Sequence, residues 1–316
     1  MAIDLIPCWE PAADCFTNCM RTIINKWDMS IKLLYLNKWD LIYTGQGKLI
    51  SEKIRTNDNY DHLVYQGIKI DNNENVDDLI KNYNEEKDDV FYIVFIDSFY
   101  CPWCSSYQKN HYYHTVILTD VTPELIQCLD LFYTHSLENI SHSQLSNCFI
   151  TYCVVRKVDK RGLSPEEYIQ LLLKQLNSQK KRENNIENSF DRYLDDLKNI
   201  EFLNMDLNME VAVDVNPLIF RTKILTYNRK CFMEFLSHLS HVTNVGLDYF
   251  QESLKIICDN WERYRMTLIK YNLIRSKKTY DAILRLFEDI GRQEIKLFNQ
   301  LISFLESELN SRLSSM

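Results

Sequence analysis

Three residue types that together support cysteine catalysis are spread over the first half of the chain. Cys15 directly follows Asp14, His114 opens the apolar run HTVILTD, and Asp130 comes sixteen positions later in LIQCLDLFY. Cysteine attacks as the thiolate, and at its ordinary pKa near 8.5 only about 3% is ionised at pH 7. A helix N-terminus and a neighbouring imidazolium both lower that pKa. We therefore expect Cys15 as nucleophile, His114 as its base and Asp130 as the carboxylate that orients the base.

The elements around these residues are predicted by their apolar patterns. Residues 15–26 have the spacing of a helix, so Cys15 is placed at a helix start. The runs 89–97, 114–120 and 149–158 are rich in β-branched and aromatic residues at strand length. We expect them to form one sheet, with His114 at the head of a strand and Asp130 on the next strand.

The second half of the chain reads almost entirely as helix. In DKRGLSPEEY, Ser164, Pro165 and Glu167 supply an N-cap, a first-turn proline and the acid of a capping box. Residues 46–88 are predicted as helix or loop, and the polar stretch 177–189 as a loop or an exposed helix face. The apolar stripe of an amphipathic helix recurs at Ile283, Phe287, Ile290, Phe298, Leu301 and Leu305. The fold class is therefore α+β, with domains at 1–160 and 161–316.

Composition argues against several classes of protein. The 44 acidic and 36 basic residues give a net charge of -8 without a basic cluster, which disfavours nucleic acid as a partner. No apolar run reaches about 18 residues, and the first residues lack a basic leader and a cleavage site, so we expect a cytoplasmic protein without a membrane partner. The ten cysteines are then expected to be reduced thiols. The six glycines form neither a dinucleotide fingerprint nor a phosphate loop, and no cofactor is expected.

Other readings of the same residues remain open. Free cysteine also packs as a small hydrophobe, and Cys19, one turn after Cys15, is the second candidate nucleophile. Asp97 either caps the end of its strand, contacts substrate, or orients His111 or His114. The pattern formed by Cys101, Cys104, His111 and His114 suggests zinc, but its gaps are shorter than those of finger-type sites, and no metal is expected.

Two stretches carry a resemblance to known families. Asp14 and Cys15 before a helix resemble the start of the papain-like double-glycine-leader peptidases of bacteriocin exporters, and the His114 to Asp130 spacing matches theirs. The run FYIVFIDSFYCPWCSSYQKNHYYHTVILTD is similar to the N-terminal domain of the butirosin-type acyltransferases. There a strand ending in Asp-x-x-Tyr, here Asp97 and Tyr100, precedes the histidine strand. The resemblance covers about residues 7–155.

This resemblance implies a papain-like catalytic domain followed by a helical domain. The implied reaction moves an acyl or aminoacyl group from the phosphopantetheine thioester of an acyl or peptidyl carrier protein to the amine of a small molecule or peptide, in antibiotic biosynthesis. Asp97, Tyr100 and His111 would bind substrate.

The chain departs from the peptidase pattern at three positions. Trp9 stands where those enzymes have the glutamine that donates to the oxyanion, and Phe16 and Asp120 replace glycines. Two alternatives stay open: a papain-like cysteine hydrolase, a peptidase or thioesterase, in which water is the acceptor, and a non-catalytic scaffold or binding protein that keeps the fold without the glutamine.

Overall fold

The chain divides into two compact units. The structure, a computed structural model, describes residues 5–43, 45, 49–50, 60–85, 89–206 and 216–314. The first unit comprises Met1–Leu33 and Arg55–Gly162, and the second comprises Leu34–Ile54 and Leu163–Met316. Residues 34–54, which precede the predicted boundary near residue 160, therefore cluster with the helical part of the chain. The assignment of a catalytic and a helical domain stays a prediction.

The fold is mixed α+β with a helical C-terminal region. In chain order the described helices and strands are α1 (Cys15–Lys26), β1 (Ile42–Tyr43), β2 (Leu49–Ile50), β3 (Ile68–Asn73), α2 (Val76–Glu85), β4 (Val90–Asp97), β5 (Tyr113–Val121), β6 (Ile126–Asp130), β7 (Ser136–Ile140), α3 (His142–Cys148), β8 (Phe149–Lys157), α4 (Pro165–Lys181), α5 (Ile186–Leu197), α6 (Ile200–Asp206), α7 (Pro217–Thr243), α8 (Asp248–Ile274) and α9 (Lys277–Ser314).

The first unit contains a six-stranded antiparallel sheet in the order β3-β8-β4-β5-β6-β7. Side chains alternate between the two faces of a strand. On β4, Phe91 and Phe95 face α1, where they contact Trp27 and Phe16. The opposite face of β4 packs in a buried cluster with residues of α2 and α3. The sheet is thus covered by helices on both faces, as its apolar strands require.

The sequence predicts the central strands and the helix starts well. β4, β5 and β8 lie within one residue of the predicted runs at each end, and α1 has the predicted bounds. Ser164 caps α4 in the predicted capping box with Glu167. The polar stretch 177–189 contains the end of α4 and the start of α5. All six stripe residues of α9 are buried.

The prediction of helix or loop over residues 46–88 is wrong at the two-residue strand β2 and at β3, and the sequence analysis did not predict β7. β3 and β7 are the outermost strands of the six-stranded sheet, with the polar sequences IKIDNN and SLENI. An edge strand is held largely by backbone hydrogen bonds to one neighbour, so its side chains need not be apolar. Residues 46–48, 51–59 and 86–88 of that segment lie outside the described residues.

The second unit has a buried ion pair between helices α7 and α9. Arg229 donates to both carboxylate oxygens of Glu294 at 2.7–3.0 Å, and neither side chain is exposed to solvent. The indole N–H groups of Trp39 and Trp261 also donate to Glu294. Arg229 further donates to the carbonyl oxygens of Lys38 and Asp40. These bonds attach residues 38–40 to the helices and explain why this segment clusters with the second unit.

No helix in the described part of the chain has both the length and the apolar composition that a bilayer-spanning helix needs.

Neutralising Glu294 is expected to destabilise the second unit strongly. The change Glu294→Gln keeps the side-chain size but leaves the Arg229 guanidinium buried without a counter-charge, at a cost of about 3–5 kcal/mol. Urea denaturation followed by circular dichroism measures the loss. The control Asp289→Asn removes the exposed ion pair with Arg292 and should change stability little. Equal effects of the two changes would contradict the role given to Glu294.

Candidate active site

Cys15 is the first residue of α1. The Asp14 side chain caps this helix, because its Oδ1 accepts the Thr17 N–H at 2.7 Å and its Oδ2 accepts the Thr17 hydroxyl at 2.9 Å. The acidic residue before the cysteine is therefore an N-cap. Cys15 is partly exposed, whereas Cys19 is fully buried against Thr115. Burial raises the pKa of Cys19, which suits a core thiol better than a nucleophile.

The segment that precedes Cys15 is fastened to α1 by two buried polar side chains. Asn18 accepts the Glu10 N–H at 2.9 Å and donates to the Glu10 carbonyl at 3.2 Å. Thr22, one turn later, accepts the N–H of Cys8 at 3.0 Å. Asn18 and Thr22 are 0% and 1% exposed, so these bonds are shielded from water. They fix the chain around Cys15, although the sequence pattern alone gave no sign of them.

His114 and Asp130 meet as the sequence predicts. His114 begins the buried part of β5, and Asp130 ends β6, the next strand of the sheet. The ring Nε2 of His114 lies 2.8 Å from Oδ2 of Asp130. Both side chains are almost completely buried. The rings of Phe132 and Tyr133 pack against the imidazole at 6.1 and 4.9 Å between ring centroids, which restricts its orientation.

The Asp130 carboxylate is saturated with hydrogen-bond donors. Its Oδ2 accepts from His114 and from the indole N–H of Trp103 at 2.7 Å. Its Oδ1 accepts the backbone N–H groups of Phe132 and Tyr133 at 2.7 and 2.9 Å. Burial alone would raise the pKa of Asp130, but the His114 hydrogen bond and these N–H donors hold it below its usual value. Asp130 is therefore a carboxylate at neutral pH.

The environment of His114 favours the imidazolium. Burial acts to lower its pKa, but the hydrogen bond to Asp130 and a hydrogen-bond contact with the Cys15 thiol outweigh it and raise the pKa to about 9. One histidine therefore joins a buried carboxylate to a partly exposed thiol. This is the order of interactions in a cysteine triad.

A second thiol also lies beside this pair. The Cys104 sulfur, a ring nitrogen of His114 and a carboxylate oxygen of Asp130 all lie within 4.8 Å of one another. Cys104, His114 and Asp130 are thus close enough to form a Cys-His-Asp triad. Cys104 is only 4% exposed, however, so it has little access to a substrate.

These three groups are poorly suited to hold a metal ion. The four lone-pair positions of Asp130 already accept N–H donors, and the Nε2 of His114 is used by Asp130. The four residues of the zinc pattern are also separated, because Cys101 is fully buried while His111 is paired with Asp97 at the surface. In the described part of the chain, Cys104, His114 and Asp130 form the only group of three or more such residues whose ligand atoms are near enough to share an ion.

The predicted substrate-binding residues form a separate group at the end of β4. Asp97 Oδ2 lies 2.6 Å from Nδ1 of His111, while Oδ1 accepts the Phe99 N–H at 3.0 Å. The His111 ring stacks on Phe99 at 4.2 Å, and Tyr100 contacts its edge. The sequence analysis left open whether Asp97 orients His111 or His114. In the structure Asp97 pairs with His111, and His114 pairs with Asp130. Whether the group contacts substrate stays a prediction.

Two donors in the first turn of α1 face no acceptor. Among the described residues, the backbone N–H groups of Cys15 and Phe16 have no hydrogen-bond partner, whereas those of Thr17 and Asn18 are bonded to Asp14. Free N–H groups at a helix N-terminus attract negative charge. They therefore offer a place for an oxyanion next to the Cys15 sulfur, without a side-chain donor.

Sequence reasoning missed Trp103, Tyr133 and Cys104 as neighbours of His114 and Asp130. Trp103 and Cys104 belong to the loop between β4 and β5, and Tyr133 follows β6. The only signal in the sequence is their position close to the two candidate residues.

A scan against protein-family models gave no match for the chain, and a search of curated proteins gave no relative.

The two buried histidines of the first unit are expected to titrate far apart. His114 should titrate at about pH 9, and His62, which is buried and lies 2.9 Å from the Leu33 carbonyl oxygen, at about pH 4 because burial disfavours its charged form. Because the folded-state pKa of His114 exceeds its ordinary 6.5, its contribution to stability is complete below about pH 6.5 and is lost as the pH rises through about 9. NMR titration of the ring protons measures both midpoints. A midpoint near 6.5 for His114 would contradict the pairing, and Asp130→Asn should lower it.

Removing the Trp103 donor is expected to destabilise the first unit. The change Trp103→Phe keeps a ring but removes one hydrogen bond to the buried Asp130 carboxylate, which costs about 1.5–3 kcal/mol. Trp27→Phe is a matched control, because within the described residues the buried indole N–H of Trp27 has no partner. Thermal unfolding of both variants isolates the hydrogen bond. A smaller loss for Trp103→Phe than for Trp27→Phe would argue against its importance.

Proposed function

We propose that this chain is a cysteine-dependent acyltransferase of the butirosin type. It moves an acyl or aminoacyl group from a carrier-protein thioester to an amine. The observation that carries the proposal is His114, which contacts the Cys15 thiol and is hydrogen-bonded to the buried Asp130 carboxylate. Such a histidine can pass protons between a thiol and a substrate while its ring stays in one orientation.

The arrangement of elements supports a papain-like catalytic domain. The thiol stands at the start of a helix that packs on an antiparallel sheet. The histidine lies at the start of one strand, and the acid lies on the neighbouring strand. The same three roles, in the order Cys, His, Asp along the chain, are what the resemblance implies.

Of the two thiols beside His114, Cys15 is proposed as the nucleophile. It is partly exposed, whereas Cys104 is 4% exposed. Cys15 also has the first-turn N–H groups of α1 next to it. A thioester carbonyl placed over Cys15 would have its oxygen near these donors, and each such donor is worth about 3 kcal/mol in the transition state.

In the first half-reaction the Cys15 sulfur attacks the thioester carbonyl of the carrier-bound acyl group. The carbon–sulfur bond to the phosphopantetheine arm breaks, and the departing thiolate takes the proton of the His114 imidazolium. The products are an acyl group on Cys15, a free carrier thiol and a neutral His114. The raised pKa of His114 makes it the proton donor for this step at neutral pH.

In the second half-reaction an amine attacks the acyl group on Cys15. The nitrogen gives a proton to His114 as the new amide bond forms, and Cys15 leaves as a thiolate beside the imidazolium. The same intermediate gives a free acid when water replaces the amine. The transferase and the hydrolase reactions therefore differ only in the acceptor, so an experiment that distinguishes them must compare amines with water as acceptor.

Selective alkylation tests the nucleophile. With limiting iodoacetamide at about pH 6, we expect Cys15 to react at least about ten times faster than Cys8, the other partly exposed cysteine. Cys15 has both an imidazolium partner and a helix start, whereas the Cys8 sulfur has a guanidinium nitrogen of Arg21 at 3.9 Å. Peptide mass spectrometry measures the rates. His114→Gln should reduce the rate of Cys15 to that of Cys8. Faster labelling of Cys104 than of Cys15 would make Cys104 the nucleophile, and equal labelling of Cys8 and Cys15 would favour a non-catalytic protein.

A further inference from the structure

A second histidine–carboxylate pair lies outside the proposed triad. His111 Nδ1 is 2.6 Å from Asp97 Oδ2, and its side chain is 64% exposed. The imidazole lies flat on Phe99, with 4.2 Å between ring centroids and 14° between planes. The backbone N–H of Phe99 in turn fixes the other oxygen of Asp97 at 3.0 Å. An exposed ring is thus held in one orientation by a carboxylate and an aromatic face.

This arrangement defines which nitrogen of His111 is available. A carboxylate accepts hydrogen bonds, so Asp97 holds the proton of the neutral imidazole on Nδ1. The lone pair then resides on Nε2, and the exposure of the side chain leaves it accessible to a solute. An imidazole oriented in this way is suited to take a proton from a bound group.

The pair lies at the end of the sheet where α1, and with it Cys15, begins. α1 runs opposite to β4, because Trp27 near its end contacts Phe91, and Phe16 at its start contacts Phe95. Asp97 is two residues beyond Phe95, so the two side chains share the face that carries α1. Phe16 directly follows Cys15.

The strand register brings the same end of the sheet close to His114. Ile96, the residue before Asp97, is paired with His114 across β4 and β5. The strand ends that carry the two histidine–carboxylate pairs are thus adjacent, but the His114 side chain shares the face of Ile96, which is the face opposite to that of Asp97.

The proposed reaction needs a second base when the acceptor is an ordinary alkylamine. At neutral pH such an amine is an ammonium ion, since the ordinary pKa of a lysine amine is about 10.4. It must lose one proton before it can attack and a second one as the amide forms. The neutral His114 left by the first half-reaction takes only one of these protons. Water as acceptor gives up a single proton to form the free acid, so hydrolysis needs one base.

We infer that His111, held by Asp97, is the base that deprotonates a cationic amine acceptor, and that Asp97 positions it. This role rests on the proposed function. The ammonium ion gives its first proton to Nε2 of His111, and the free amine attacks the acyl group on Cys15. Its second proton goes to His114, Cys15 leaves as a thiolate, and His111 then releases its proton to water.

Separate measurement of the two half-reactions tests this role. The protein is first acylated with the butyryl thioester of N-acetylcysteamine, and the acyl group on Cys15 is followed by intact-protein mass spectrometry. Propylamine, hydroxylamine or no amine is then added at pH 7, and amide, hydroxamate and free acid are quantified. Hydroxylamine is already unprotonated at this pH and needs only one base.

The variant His111→Gln should load at the wild-type rate and release free acid at the wild-type rate. Its reaction with propylamine should fall about 100-fold, while its reaction with hydroxylamine stays within a few-fold of wild type. Asp97→Asn keeps an oxygen for the Phe99 N–H but loses the charge that orients His111, and should show a smaller loss with propylamine. His241→Gln, at an exposed histidine of α7, is the control and should change none of the rates.

Each other outcome has a defined meaning. An equal loss with both amines, or no loss with either, would overturn the role of His111. A wild-type protein that loads but yields only free acid would also overturn it and would leave a hydrolase. A wild-type protein in which Cys15 is never acylated would overturn the proposed function itself, and with it the role of His111.

Discussion

A buried carboxylate must have all its oxygens satisfied, and in the first unit this requirement is met at Asp130. Four N–H groups converge on it, from His114, Trp103 and two consecutive backbone positions. Because a buried charge without partners would cost several kcal/mol, the strand end, the loop after it and the loop between β4 and β5 must keep their relative positions. The orientation of His114, and hence its contact with Cys15, depends on this arrangement.

The position of the Cys15 thiol near His114 depends on a second set of contacts, those between α1 and the sheet. Aromatic contacts with β4 at both ends of α1 fix the position of this helix along the strand. The buried side chains of Asn18 and Thr22 bind the segment that precedes the helix. Its N-terminus therefore lies at the end of the sheet where β4 stops and β5 begins. A capped helix start carries both a partly exposed cysteine and two N–H groups without a partner among the described residues, so one local structure would serve the proposed nucleophile and an oxyanion.

The two histidine–carboxylate pairs differ chiefly in their contact with water. His114 and Asp130 are buried, where low polarity strengthens their attraction and stabilises the imidazolium against the cost of burial. His111 and Asp97 are at the surface, where the pair orients the ring but leaves it open to solutes. A buried pair suits proton transfer to a thiol fixed beside it, and an exposed pair suits a diffusing amine. The proposed acyl transfer uses both properties.

The sequence by itself determined those helices and strands that are marked by a periodic or compositional pattern within their own residues. Helical periodicity placed Cys15 at the start of α1, and strand composition placed His114 at the head of β5. The pairing of His114 with Asp130 also followed from their order on consecutive strands. Only the tertiary structure decided that Asp97 holds His111, that Trp103 shares the carboxylate of Asp130, and that Cys104 lies beside them. These contacts depend on strand register and on the path of the loop between β4 and β5, and neither leaves a periodic pattern in the residues themselves.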